Sequence, residues 1–576
     1  MATKKTKKKP ATNLKRKALV DKSSVKNPRE KNAAGANQFA VSDPAEKLIS
    51  MIGSSFLNEG SSTYGTPETE LATEAYDPAG LDAHTQQIIN TATQVAKSDH
   101  PEDLLKIARW ARTELKVRST PTVLLAVAAE CPETKQFVRK YTPLICQRPD
   151  EVKQAFIAYR QLFGTEDSLP NSLKRGLSDR ISKMRESDFL KYEGQERPYW
   201  SDIIRMVDRS KDWPVSQATF NYLYKGETDP EKTPVFFARK ALNQLKTFDE
   251  KAQSLAKASY ATWENVLSQF GNSKDVWEYL VKSGQLGYMA LIRNLRNMLQ
   301  AGVSMATVNA ACDALVSGAV NSKQLPYRFL SAYKQLEGIN TPECTRILGA
   351  LASALDAVVA NMPRLPGNSL IACDTSGSMS STVSDKSTVT RKEAACILGA
   401  IAYKLSEGAS EIGAFSNEYK TANVNPGMTT LEIARRVGDL DVGAATMTHL
   451  VFDHATKSST RFKRCLLFSD MQAYDKSISN VYGRGQGGSA ATSLSNARKK
   501  NGLVYLHSVD LAGQGTSLTK QSDTNTNLVG GYSEKVIDTV LAFEGIKKDA
   551  TSQTVTGDEA TSGAREFTLE YIRKNF

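Results

Sequence analysis

From about residue 85 to residue 355 the apolar positions return every three or four residues, with polar positions between them. That period is helical. In HPEDLLKIARWARTEL, Leu104, Leu105, Ile107, Ala108 and Ala111 share a face, and Pro101 and Glu102 mark the start. TPTVLLAVAAECPE opens on Thr-Pro and ends before Pro132, and DEVKQAFIAYRQLFG stops at Gly164. DVWEYLVKSG, GYMALIRNLRNMLQAG and TPECTRILGALASALDAVVANM continue the pattern. Amphipathic helices joined by short loops, with no β-rich runs between them, predict a solenoid of helix pairs, each pair burying its apolar face on the next. No crisp repeat signature is present, so a compact all-α domain stays open.

After Pro366-Gly367 the pattern changes. NSLIACD, ASEIGAFSN, RCLLFSD and GLVYLHSVDL are short apolar runs that predict buried strands. RKEAACILGAIAYKLSEG, TTLEIARRVGDL and THLVFDHATKS predict the helices between them. Alternating strands and helices predict a parallel, doubly wound sheet, whose ligands sit beyond the carboxyl ends of its strands. Asp374 ends one strand and Asp470 another, so both should reach that crevice.

Composition adds bounds. At 576 residues the chain should hold more than one domain. It has no run of 18 apolar residues, so no membrane span is expected. The lysine-rich N-terminus lacks the apolar stretch of a secretion signal. Seven scattered cysteines without a CxxC pair read as reduced, cytoplasmic thiols. Five histidines show no zinc spacing; His449 and His454 read as ordinary helix residues. Of the net charge of +12, residues 1–32 hold about +10, with twelve Lys/Arg against Asp21 and Glu30. Such a tail buries too little to fold, and serves either to attract polyanions or as a solvated localisation patch. Residues 33–80, rich in Gly, Ser, Thr and Asn, read as linker, partly docked on the body.

The most chemical stretch is LIACDTSGSMSST at 370–382. Two carboxylates, Asp374 and Asp470, with the hydroxyls of Ser376 and Ser378, make an all-oxygen site for a hard cation, Mg²⁺ or Mn²⁺. Few charged ligands would leave that ion able to accept an acidic group from a partner. The alternative is that Asp374 caps a turn and the serines are plain loop residues. Enzymatic activity is not expected. There is no GxxxxGK[ST] and no GxSxG. A phosphoaspartate enzyme of the haloacid-dehalogenase type needs a second Asp where Ser376 stands.

The same stretch resembles the metal-ion-dependent adhesion site of von Willebrand factor A domains: DxSxS, a distant Thr, a distant Asp. Asp374, Ser376, Ser378 and Asp470 match. The resemblance implies Thr446 in GAATMTHL as the threonine ligand; Met447 replaces the Asp that follows it in relatives, and Thr448 is the competing choice. An A domain after a helical half is similar to the Ro autoantigen family, the TROVE-domain ribonucleoproteins, with a bacterial or phage member expected. LLKIARWARTELKVRSTPTVLLAVAAECPETK, SLPNSLKRGLSDRI and GYMALIRNLRNM resemble family segments in order. The resemblance implies a HEAT-like helical ring closed by a Rossmann-like A domain. It also implies binding of small Y-type non-coding RNA outside the ring and of single-stranded 3′ ends of misfolded RNA in its hole. An exoribonuclease is a further candidate partner, and a ring closed within one chain favours a monomer. The expected division is 1–80 basic tail and linker, 81–360 helical RNA-binding domain, 361–560 A domain and 561–576 a C-terminal segment.

The residues can also be read for RNA without the family. In SLKRGLSDRISKMR, Leu173, Leu177, Ile181 and Met184 form one apolar stripe. Lys174, Arg175, Arg180, Lys183 and Arg185 fill the remaining arc against Asp179, either as a phosphate-binding face or as a solvated one. Arg293 and Arg296, with Asn294 and Asn297, can bind phosphate and read bases, or serve in ion pairing and capping. Tyr327, Arg328, Tyr333 and Lys334 favour packing over base stacking. A helical scaffold that binds acidic protein partners through the metal is the alternative to an RNA-binding protein.

Overall fold

The structure is a computed structural model. It describes residues 29–31, 37–40, 43–55, 83–115, 117–164, 169–193, 198–207, 215–322, 324, 326–383, 388–471, 489–512, 516–517, 523, 525–530, 535–545 and 568–576. Most of the basic tail, residues 1–28, lies outside these, as does 483–488 of the Gly/Ser-rich segment 483–496.

Helices occupy the stretches that the 3.6-residue period marks. Pro149–Phe163 shows why: Pro149 opens it, Asp150 and Glu151 fill the first turn, Arg160 the last, and Gly164 ends it at φ 64°. Successive helices pack on the next and the next but one. Lys135–Ile145 lies on Asn171–Ile181, Ser119–Glu130 on Pro149–Phe163, and Met305–Ser322 on Pro342–Ala360. This is the arrangement of stacked helical hairpins. Their cores form two clusters: one from the early helices through Phe236, the other from Leu242 onward.

The C-terminal half is a sheet of six strands: β3 (Ser369–Asp374), β4 (Glu411–Phe415), β5 (Tyr419–Thr421), β6 (Arg464–Ser469), β7 (Tyr505–Asp510) and β9 (Thr526–Gly530). Their order is β5-β4-β3-β6-β7-β9, and all but β5 run parallel. Helices cover both faces, which is why the strands read as unbroken apolar runs. Ile371, Cys373, Leu466 and Phe468 face the helices Arg391–Leu405 and Thr430–Gly438. Leu370, Ala372, Cys465 and Leu467 face His449–Lys457 and Ala490–Asn501.

The sheet domain holds both ends of the helical array. On the late side, Lys334 bonds Glu393 at 2.7 Å and Asp356 pairs with Lys404 at 3.0 Å. On the early side lie β1 (Arg29–Lys31), β2 (Asn37–Ala40) and β8 (Thr516–Ser517). β2 pairs with β1 and, antiparallel, with β8 of the sheet domain. Pro44–Ser55 packs on β9 and on Ala83–Ala96. The C-terminal helix Thr568–Asn575 returns to the first helices, with Leu569 and Ile572 in their core and Arg573 Nε 2.8 Å from Asp103. The array is thereby closed into a ring. Part of the expected linker is therefore structured: Leu48, Met51 and Ile52 form a buried face within polar surroundings.

All seven cysteines are free and buried, and none of the described helices is long and apolar enough to cross a membrane. The amino end of the sheet holds a closed ionic cluster. Arg464, fully buried, meets Glu544 through Nε (2.6 Å) and an Nη (2.7 Å). It also donates to Pro366 O and Ser369 Oγ, and His507 lies 3.1 Å from Glu544. Burial pushes the Glu544 carboxyl up, but Arg464 and His507 more than offset it and hold it well below the carboxylate range. Removing one partner of a buried pair strands the other charge. Glu544→Gln should therefore destabilise the sheet domain by roughly 3–5 kcal/mol in urea unfolding; a loss within 0.5 kcal/mol, about the scatter of surface substitutions, would refute this role.

Candidate functional site

The chain leaves β3 toward β4 on one side and returns to β6 on the other, so the strand order reverses between β3 and β6. A crevice opens there at the carboxyl ends. Asp374, the last residue of β3, is fully buried. One carboxylate oxygen accepts the Ser376 amide at 2.9 Å, and the other accepts the Ser469 hydroxyl at 2.6 Å. Asp470 follows Ser469 and is also buried. Ser376 and Ser378 lie with their hydroxyls 3.2 Å apart, Ser378 open to solvent. Residues 444–448 drape over the same end: Gly377 N donates to Ala444 O (2.9 Å), Met447 N to Ser416 O (3.0 Å) and Ala445 N to Asn417 Oδ1 (2.7 Å). Thr446 and Thr448 are both buried in that stretch.

The expected oxygen ligands thus come from loops that meet at one place. Three contributors escaped the sequence reading: Ser469, Ser416 and Asn417, which bond Asp374 or the 444–448 stretch directly. A hydroxyl residue next to the strand-ending position, in FSD and again in FSN, is the signal that could have shown them. Met471, just past Asp470, takes φ 61°, a region a side chain enters only at a cost.

Burial, and then repulsion from Asp470, push the Asp374 carboxyl up to about 7 against the bonds from Ser469 and Ser376. Among the described residues no group of three or more His, Cys, Asp and Glu gathers to hold a metal. The donors here are two carboxylates and hydroxyls, a set chemically suited to a hard cation.

The helical half holds the basic candidates. Leu173, Leu177 and Ile181 are buried as the stripe requires, and Gly176 lets the helix approach its neighbour: a Cβ there would lie 2.5 Å from Thr142 Oγ1. The outward residues divide. Arg175, Lys183 and Arg185 are exposed and Lys174 is half-buried. Arg180 differs: its guanidinium donates to Cys146 O and Gln147 O, both at 2.7 Å, closing the end of Lys135–Ile145. Asp179 pairs with Arg139 at 2.8 Å. Beside it, Gln136, Arg139, Lys140, Pro143, Ser182 and Lys183 complete an open groove of about 590 Å³ with three cations.

Arg293 and Arg296 are exposed on Tyr288–Gln300. Their asparagine neighbours are not free to read bases together. Asn294 is buried and donates to Ala290 O, and Asn297 donates to Asn294. Burial lowers the Arg293 guanidinium although its side chain meets solvent, and Glu264 pulls it back up. Burial, and then Arg148, lower the Lys191 ammonium on Glu186–Lys191, with Glu264 opposing them. Tyr327 and Tyr333 are half-buried against the core, as their spacing suggested, and Lys334 is taken by Glu393.

Fold and site together define a helical-repeat ring closed by a von Willebrand factor A-type domain. The TROVE domain family matches residues 31–255 and 254–344, and the Ro60 vWA domain matches 368–486. The chain belongs to the Ro autoantigen family of TROVE-domain proteins, a family of RNA-binding ribonucleoprotein components. Among known structures it resembles the Deinococcus radiodurans RO (RSR) protein, with 16% identity and a TM-score of 0.58 over 85% of this chain and 97% of that one. That likeness concerns fold. Telomerase protein component 1 of Rattus norvegicus is 26% identical over 293 residues, and that of Mus musculus 27% over 294. Each match covers 41% of this chain but 11% of the relative, so the chain spans about a tenth of those proteins.

The raised Asp374 pKa makes a prediction with a definite sign. Folding penalises the charged carboxylate, so stability is lost as pH climbs from the ordinary aspartate value through about 7. In chelator, Asp374→Asn should melt above the parent at pH 8, and the difference should vanish near pH 4. Equal melting at both pH values would mean that Asp374 carries no such penalty.

Proposed function

We propose that this chain binds small, structured, Y-type non-coding RNA on the outer face of its helical ring and the single-stranded 3′ ends of misfolded RNA in the hole. The role is RNA quality control in the cytoplasm, by a monomer, with an exoribonuclease as partner. The observation that supports this reading most is that the helical half carries two sets of solvent-accessible cations, distant in sequence. One comprises Lys174, Arg175, Lys183 and Arg185 beside the Arg139–Lys140 groove. The other contains Arg293 and Arg296, exposed on Tyr288–Gln300. Basic surface is the electrostatic footprint of a phosphate-binding protein. Family membership supports the reading. Arg180 leaves the first set because carbonyl oxygens already hold it.

In the A domain, Asp374, Ser376, Ser378, Thr446 and Asp470 would hold Mg²⁺ or Mn²⁺. Such an ion supplies charge that relieves the Asp374–Asp470 repulsion, and a Lewis-acidic position for a carboxylate from a protein partner. This chain's own residues orient that position: Ser469 and the Ser376 amide fix Asp374, while Ser416 and Asn417 hold the threonine stretch.

The test uses protein lacking residues 1–28, because the tail's charge would attract RNA without selectivity and 29–31 pair with β2. Changing Lys174, Arg175 and Lys183 to Ala should weaken a duplex-containing RNA by about 1 kcal/mol or more for each charged hydrogen bond removed. Changing Arg293 and Arg296 should weaken RNAs with a free single-stranded 3′ end instead. Equal loss from both sets for every RNA would indicate a diffuse basic field; no loss from either would favour the scaffold alternative. Separately, Asp374→Ala should abolish Mg²⁺ binding in calorimetry and leave RNA affinity unchanged. Retained Mg²⁺ affinity would remove Asp374 from the ligand set.

A further inference from the structure

The two attachments of the helical array to the sheet domain are unlike. At the late one the apolar core runs on without a break. Leu351, Leu355 and Val359 of Pro342–Ala360 belong to the same buried cluster as Ile397, Leu398 and Ile401 of Arg391–Leu405. At the early one it stops. Among the described residues, the core of the early helices takes in no side chain of the six-stranded sheet or of the helices that cover it. The buried residues it draws from beyond Phe236 are Leu569 and Ile572, both on Thr568–Asn575. β2 and β8 share the pairs Phe39–Ser517 and Ala40–Thr516. Pro44–Ser55 lies on β9 without merging its core with that of the sheet.

Thr568–Asn575 is therefore the apolar bolt of the early attachment. It touches Asp103–Thr113 and Pro44–Ser55 on one side and Lys535–Phe543 of the sheet domain on the other. Leu569 and Ile572 are buried, and Tyr571 and Phe576 lie against the same core. The rest of its hold is polar and comes mostly from one helix. Asp103 accepts Arg573 through Nε at 2.8 Å and Nη2 at 2.6 Å. Lys106 Nζ donates to Arg573 O at 2.7 Å. Arg109 donates to Phe576 O at 3.0 Å, with its guanidinium 5.5 Å from the Phe576 ring centroid. The Tyr141 hydroxyl donates to the same oxygen at 3.2 Å. Cations at the carbonyl end of a helix also meet the favourable pole of its dipole. A helix of eight residues is too short to be stable by itself in water, so it keeps its shape only while docked. Segments held by few buried contacts sit at the low end of local stability.

The array has a matching seam. Pro234–Asn243 places Phe236 in the early core and Leu242 in the late one. Between them Arg239 is buried and donates to Ser259 O at 3.3 Å, while its Nε has no partner among the described residues. Two cores that meet within one helix, bolted at their far side by another, form two bodies with a hinge and a catch.

We propose that Thr568–Asn575 is a releasable latch. When it leaves Asp103–Thr113, the ring parts at the early attachment and swings about Pro234–Asn243, while the late attachment stays whole.

Hydrogen exchange of the full chain, read by mass spectrometry, is compared with that of a chain ending at residue 567 and of Arg109→Ala combined with Arg573→Ala. Small-angle X-ray scattering reports size, and circular dichroism reports helix content. Truncation should speed exchange about tenfold or more in peptides covering 44–55, 103–113 and 526–530, the scale of losing hydrogen bonds to charged groups. It should leave 342–359, 391–405 and 464–469 at the parent's rate and raise the radius of gyration. The double variant should move 44–55 and 526–530 in the same direction. A synthetic peptide of residues 568–576, added to the truncated chain, should restore slow exchange and the parent's size. Unchanged exchange and size after truncation would mean that the ring stays shut without this helix and would overturn the latch. If truncation unfolds 119–163 as well, the double variant decides: unchanged rates at 44–55 and 526–530 would overturn the latch. Faster exchange at 342–359 and 391–405 would show both attachments yielding together, and would overturn the asymmetry on which the latch rests.

Discussion

The attachment of both ends of the helical array to one sheet domain governs the rest of the structure. Stacked helical hairpins touch only their neighbours, so curvature alone leaves the ends of such an array apart. Here the late helices are bound through Lys334–Glu393 and Asp356–Lys404. The early ones are bound through β2 on β8, Pro44–Ser55 on β9, and the returning helix Thr568–Asn575.

The two halves carry different electrostatics. In the sheet domain, one end buries an ion cluster that its own partners satisfy, Arg464 with Glu544 and His507. The other end buries like charges, Asp374 and Asp470, and burial followed by Asp470 pushes the Asp374 carboxyl up. The first arrangement is structural, because every group finds its partner inside. The second suits a site, because a cation would relieve what the protein leaves unrelieved. The helical half instead pairs its groove cations at the surface, Arg139 with Asp179 and Lys140 with Glu102, beside the exposed Lys183.

Much of this was legible in the sequence. The helical period and the alternation after Pro366-Gly367 placed the principal elements, because each element buries a regular face. DTSGS and FSD could be read as one site because Asp374 ends β3 and Asp470 directly follows β6. Elements whose signal is short or diluted were not legible. Pro44–Ser55 buries Leu48, Met51 and Ile52 amid polar residues, and β5 has only three residues. Nor could sequence separate Arg180 from its neighbours. Its arc position matches theirs, but the bare carbonyls at the end of Lys135–Ile145 draw its guanidinium down. Asn294 is a related case: helical spacing places it beside arginines, yet its amide turns back to Ala290.

The central claim is that the ring, and not the tail or the A domain, holds the RNA. Ultraviolet crosslinking of RNA to the full chain, with crosslinked peptides identified by mass spectrometry, tests it most directly. The account predicts crosslinks in peptides around 171–185 and 288–300. Crosslinks confined to residues 1–28 or to the sheet domain would contradict it.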